Sequence, residues 1–325
     1  MAILTRRRLL AAAGAMLAAP VIARLARAQA WPTRPIRAMV PFAAGSTIDI
    51  IARIVFEPLA QRLGQPIIVE NRGGAGGTIG TAATVHAEPD GHTWLINASA
   101  HSAAPAAYPK IPYDPARDFS AVISFGSVPN VVIVSPAKGF KTLADLVAAG
   151  KARELTFSSA GVGSATHWAA ERLRLAAGFK PVHVPYRVGP DAVLHTVTGT
   201  VDFMCPGLSG ARAFIDDGKA LALAVCPPKR SVALPNVPTT IEAGSPDSDY
   251  TFWNGMFVPK KTPREIIARL YRETQAALET PIVKERFAPQ GIEPMTMTPE
   301  EFDALVVKEV AGNLALVKAA GLKFN

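Results

Sequence analysis

The sequence predicts an α/β protein of two lobes, with helices packed on mostly parallel sheets. Three observations carry that prediction. Short apolar runs of strand character alternate with longer segments of helical period. Two strand-to-helix corners, more than a hundred residues apart, share one grammar: strand, glycine turn, serine, helix. The two C-terminal helices are too long to complete a strand–helix unit of the middle region, so they are expected to pack back on the first lobe. That lobe then comprises 31–130 plus 228–325 and encloses a second at 131–227. Two chain crossings between them would act as a hinge.

The first corner spans Val40 to Arg53. Residues 36–40 predict a strand, ended by Pro41, which has no N–H to donate. Gly45 allows the turn. Ser46 is the expected N-cap, with Asp49 reaching back to the Ser46 N–H as in a capping box. The helix 47–63 places Ile48, Ile51, Ala52, Val55, Leu59 and Leu63 on one face, and Pro58 is expected to kink or shorten it. A strand at 67–70, a glycine run at 73–80 opening a helix to about Ala87, and a strand at 93–97 follow. Residues 99–118 hold Pro105, Pro109, Pro112 and Pro115 and read as a loop.

Beyond it lie a strand at 131–134 and a helix at 143–153 capped by Thr142. The second corner is a strand at 155–159, the turn Ala160-Gly161-Val162-Gly163, the cap Ser164 and a helix 165–177, with His167 in its first turn. A strand at 182–185 and a helix at 190–198 follow. Strands 201–205 and 221–226 flank a helix at 210–217. A proline-rich loop at 227–249 leads to a strand at 253–258 and helices 263–278 and 299–320. No internal repeat or low-complexity tract is evident.

Each corner leaves first-turn N–H groups pointing into open space at the positive end of a helix dipole. Each alone also fits an ordinary capped helix. Taken as a pair, they are expected to face each other across a cleft and hold an anionic group. His167 is the one histidine placed to donate to that anion.

Composition narrows the partners. The 325 residues are 49% hydrophobic and 18% charged, a globular composition with a formal net charge of +8. Five arginines and no acid lie within residues 1–30. Setting that segment aside reduces the 34 basic residues to 29, against 26 acidic ones. The basicity belongs mostly to the leader, and no basic run beyond it argues for nucleic acid. Residues 1–30 read as an export signal. Arg6, Arg7 and Arg8 precede an apolar run, 9–23, and Ala28-Gln29-Ala30 supplies the cleavage site, with a twin-arginine flavour and a Sec route both open. The run is too short to span a bilayer comfortably. The expected location is the periplasm.

Other chemistries find no support. The glycine run misses G-x-G-x-x-G, because Ile79 stands at its third position. There is no G-x-S-x-G elbow, no H-E-x-x-H and no C-x-x-C. No cofactor and no metal are expected. Cys205 and Cys226 end two short apolar strands, and either a disulfide or two buried thiols fits an exported chain.

The motifs together resemble the Bug-type periplasmic solute-binding receptors of tripartite tricarboxylate transporters. Trp31-Pro32-Thr33-Arg34-Pro35-Ile36, Pro41 to Asp49, Val69 to Gly80, Gly161 to His167, Val184 to Tyr186, Gly199 to Asp202 and Pro235 to Gly244 carry the likeness. It implies a type II periplasmic binding protein fold, two α/β lobes closing on a small organic carboxylate. It also implies delivery to the membrane subunits of such a transporter by a monomeric receptor that is not an enzyme. The ligand-binding residues it implies are Phe42, Ala44, Gly45, Ser46, Asp49, Ser99, Ala160, Gly163, Ser164, Thr166 and His167. Two departures stand out. Ser46 replaces a usual second glycine, and Pro206, after Cys205, stands where some members place an acid. An exported enzyme using His167 or Asp49 as general base, or a ligand-sensing subunit, are the alternatives.

Overall fold

Short, largely apolar runs seed both sheets. The computed structural model describes residues 31–322; the expected leader at 1–30 lies outside them. Strands β1 (Ile36–Val40), β2 (Ile67–Asn71), β3 (Thr93–Ala98), β4 (Phe119–Val128) and β10 (Phe252–Pro259) form the first sheet, in the order β2-β1-β3-β10-β4. Strands β5 (Val131–Val134), β6 (Thr156–Ser159), β7 (Val182–Pro185), β8 (Phe203–Met204) and β9 (Leu221–Val225) form the second, in the order β7-β6-β8-β5-β9.

Neither sheet is wholly parallel. In the first, β1 runs parallel to β2 and β3, while β10 is antiparallel to both β3 and β4. In the second, β6 is parallel to β7 and β8, and β5 is antiparallel to β8 and β9. The reversals come where the chain passes between sheets. It leaves the first through Pro129-Asn130 and returns through residues 226–251. Asn130 ties the crossings together. Its side-chain amide donates to the Cys205 carbonyl at 2.6 Å, and its carbonyl accepts the Cys226 N–H at 2.8 Å.

Helices cover the sheets: α1 (Thr47–Leu63), α2 (Thr78–Val85), α3 (Ala100–Ala107), α4 (Leu143–Ala152), α5 (Ala165–Ala177), α6 (Gly189–Val197), α7 (Leu208–Asp216), α8 (Arg264–Leu278), α9 (Pro281–Phe287) and α10 (Pro299–Ala320). Both tail helices, α8 and α10, pack on β4 of the first sheet. Contrary to expectation, α1 is not shortened at Pro58. It runs to Leu63 and closes at left-handed Gly64, whose N–H donates to the Ala60 carbonyl. Burial of Phe56, Pro58, Leu59 and Leu63 outweighs the one lost backbone bond.

Residues 99–118 are not all loop. Every residue of α3 except Pro105 is buried, so tertiary packing sustains a helix that its proline disguised. Strand β4 was hidden by Ser120, Ser124, Gly126 and Ser127, which break the apolar run; burial on both faces makes it a strand. The short helix α9 was also missed. Cys205 and Cys226 are free buried thiols. Their strands are not neighbours, because β5 lies between β8 and β9. A hydrogen bond with Cys226, then burial, pushes the Cys205 thiol well up.

Candidate functional site

The first corner is built as a strand end, a turn and a helix start, but its internal bonds differ from the expected ones. Gly45 sits at φ 76, the left-handed region that a Cβ disfavours. Ser46 is the N-cap with extended backbone, yet its side chain makes no capping bond. Its N–H donates to the Ala43 carbonyl at 3.1 Å, so there is no capping box. The Asp49 carboxylate accepts instead from the Gly45 N–H at 2.9 Å, from Arg53 Nε at 3.0 Å and from Asn71 Nδ2 at 2.9 Å. Burial pushes the Asp49 carboxyl up, but these bonds and the Arg53 charge outweigh it and hold it below the usual carboxylate range. Asn71 also donates to the Phe42 carbonyl at 3.1 Å. The end of β2 thereby pins both ends of the turn. The Ser46 hydroxyl is buried and has no protein partner.

The second corner keeps its predicted cap. Ser164 Oγ accepts the His167 N–H at 3.3 Å and lies 2.9 Å from Thr166 Oγ1, which accepts the Ala160 N–H at 2.9 Å. The expectation that the His167 ring points at an anion is corrected. Its Nδ1 accepts the Gly163 N–H at 3.0 Å, and its Nε2 faces Glu171 Oε1 at 3.6 Å. Both ring nitrogens therefore serve the protein.

The ring also stacks on His183, with centroids 3.9 Å apart. His183 Nε2 lies 2.6 Å from Ser159 Oγ, which in turn accepts the Gly161 N–H at 3.1 Å. Two histidines thus brace the glycine turn from behind, one at each end. Burial, then the neighbouring His167, pushes His183 down to about 3, so it is neutral. Burial pushes Glu171 up, but His167 and Arg174 outweigh it and keep the carboxyl low.

The two corners meet. Gly45, Ser46, Thr47 and Ile48 from the start of α1, and Ala160, Ser164, Ala165 and Thr166 from the start of α5, line one cavity of about 50 Å³, with Phe42 as a wall. The starts of α6 (Gly189, Pro190) and α7 (Gly207, Gly210) complete it, with Val193, Met204, Pro206 and Phe252. The lobes are closed over it. Tyr108 donates its hydroxyl to the Val162 carbonyl at 2.8 Å. Gly76, at φ 61, lies so near that carbonyl that a Cβ there would overlap it.

Of the residues singled out in the sequence, Phe42, Gly45, Ser46, Ala160, Ser164 and Thr166 line the cavity. Asp49, Gly163 and His167 stand behind it, holding the turns. Ala44 is exposed and outside the lining. Ser99 is elsewhere: its Oγ lies 2.7 Å from the Tyr250 hydroxyl in a second, polar cavity of about 320 Å³ beside Arg172 and Glu309. The starts of α6 and α7 were missed. The available signal was that β7 and β8 also feed directly into helices, and ligands sit where strand ends meet helix starts. Among the described residues no group of His, Cys, Asp or Glu is placed to hold a metal.

Comparison with known proteins gives a consistent picture. Residues 51–322 match the family model described as the tripartite tricarboxylate transporter family receptor. Protein BugT of Bordetella pertussis is 35% identical over 325 residues, covering 98% of this chain and 99% of BugT. The structure of MatC from Rhodopseudomonas palustris with bound malate superposes with a TM-score of 0.84 at 32% identity, covering 88% of this chain and 100% of MatC. An R. palustris protein with adipate gives a TM-score of 0.86 at 29% identity, covering 90% of this chain and 99% of that one.

Proposed function

Because the chain belongs to the tripartite tricarboxylate transporter receptor family, and so is a two-lobed extracytoplasmic solute receptor, we propose that its cleft captures a small organic carboxylate. The receptor then delivers that ligand to the membrane subunits of such a transporter. It works in the periplasm as a monomer, with lobes of 31–130 plus 228–325 and of 131–227, and it returns its ligand chemically unchanged. Phe42, Gly45, Ser46, Ala160, Ser164 and Thr166 touch the ligand; Asp49, Gly163 and His167 shape the turns that do so.

One observation carries this reading. The partnerless Ser46 hydroxyl lines the same cavity as the first turns of two helices from different lobes. First-turn N–H groups have no intrahelical acceptor, and their dipole ends favour an anion. Both solved relatives described above hold carboxylic acids, malate and adipate. Calorimetric titration with a panel of organic acids and their neutral amides tests it. At least one acid is expected to bind while its amide does not, and to be recovered intact. Binding of neutral compounds alone would overturn the reading.

A further inference from the structure

The polar cavity of about 320 Å³ that holds Ser99 shares no lining residue with the cleft between the two corners. It is lined from both sides of the molecule. Lys308 and Glu309 come from α10, which packs on β4 of the first sheet, and Arg172 comes from α5, which packs on β6 of the second. The returning chain adds Asp249, Tyr250 and Thr251. Glu309 is fixed by one oxygen only. Its Oε2 accepts from Ser102 Oγ at 2.5 Å and from Trp253 Nε1 at 2.9 Å. Its Oε1 makes neither a hydrogen bond nor an ion pair among the described residues. Burial pushes this carboxyl above its usual range, although Ser102, Trp253, Arg172 and Lys308 all favour its charge.

Arg172 is likewise short of a partner. Its Nη1 donates to the Asp249 carbonyl at 3.3 Å, and its buried Nε has no acceptor. Closing Arg172 onto Glu309 would satisfy both, yet each is held by its own partners and no ion pair joins them. We propose that this cavity is a second ligand site, for a small zwitterion of the amino-acid type. Its ammonium meets Glu309 and its carboxylate meets Arg172. A charged group taken out of water is costly until an opposite charge reaches it, and such a ligand supplies one to each. With Lys308 and Asp249 the lining carries two cations and two anions. A simple cation is therefore opposed by Arg172 and Lys308, and a simple anion by Glu309 and Asp249. Because the ligand touches helices of both sheets, its binding also opposes their separation.

Calorimetry on the purified chain tests this with glycine, β-alanine and 4-aminobutanoate, which differ in the separation of their two charges. Propanoate and propylamine are the singly charged controls. At least one amino acid is expected to bind, and Glu309→Gln and Arg172→Gln are each expected to weaken it about tenfold or more. Gln at 309 still accepts from Ser102 and Trp253, and melting curves of both unliganded variants check that they fold. Should one fail to fold, the other decides alone. No binding by any of the three overturns the inference. So does an affinity that the folded variants retain, which would place the amino acid elsewhere, as in the cleft. Propanoate or propylamine binding as tightly as the amino acids, with the same loss in the variants, would overturn the zwitterion assignment.

Discussion

Asp49 holds the N–H of Gly45, four residues behind it, at 2.9 Å. It therefore acts on the turn that enters the helix. Asp49→Ala is expected to destabilise the fold by about 1–3 kcal/mol, from loss of charge-assisted bonds to Gly45, Arg53 and Asn71. It should also weaken ligand binding by about tenfold as the turn relaxes. Chemical denaturation and calorimetry measure the two effects. The carboxyl is held low, so its stabilisation is present above the ordinary aspartate range and is lost as pH falls through its depressed folded value.

Ser46→Ala separates ligand binding from folding. The hydroxyl has no protein partner, so its removal is expected to leave the melting temperature of the unliganded protein unchanged or slightly higher. Carboxylate affinity should fall by roughly five- to tenfold, the size of one lost hydrogen bond to a charged group. Thermal melts with and without ligand check both halves. A large fall in the unliganded melting temperature would mean that the hydroxyl has a structural role.

The contact between Tyr108 and Val162 closes the lobes across the cleft. Tyr108→Phe is expected to speed ligand release several-fold, as for one neutral hydrogen bond, with little change in association rate. Gly76→Ala should be more severe, because the added methyl overlaps the Val162 carbonyl across the cleft and meets an unfavourable positive φ. Stopped-flow release, together with solution scattering for compaction on ligand addition, reports both.

His183 is held neutral, with its titration pushed down to about 3 by burial and by His167. Unfolding would let it take up a proton at its ordinary value near 6.5, so stability is complete above that pH. It falls by up to about 1.4 kcal/mol per pH unit below it, until the folded value is reached. The groups facing this ring and its partner are Ser159, His167 and Glu171, with Arg174 beyond. His183→Gln is expected to flatten this acid limb in denaturation curves taken between pH 4 and 7. It also loosens the Ser159–Gly161 brace and weakens binding at neutral pH. An unaltered slope would exclude His183 as its source.

Much of the site was legible in the chain because its parts are local. A strand end, a glycine at φ 76 and a serine before a helix occupy consecutive residues, and backbone sterics dictate their geometry without outside help. The same holds at Ser164, where the predicted cap forms. Motif likeness placed both corners in a two-lobed receptor. Side-chain direction was not local. Asn71, from another strand, drew Asp49 away from the Ser46 N–H. His183, from β7, and Glu171 turned the His167 ring away from the cleft. Tyr250 took Ser99 into a different cavity.

From the sequence alone came the chain's punctuation: where strands stop, where helices start, and which amides are left unsatisfied there. The tertiary structure alone decided which of those amides share a cavity and which were already satisfied by carbonyls such as that of Pro129. The physical reason is that a backbone corner is shaped by neighbours along the chain, whereas a buried polar group is directed by whichever partner folding brings within reach.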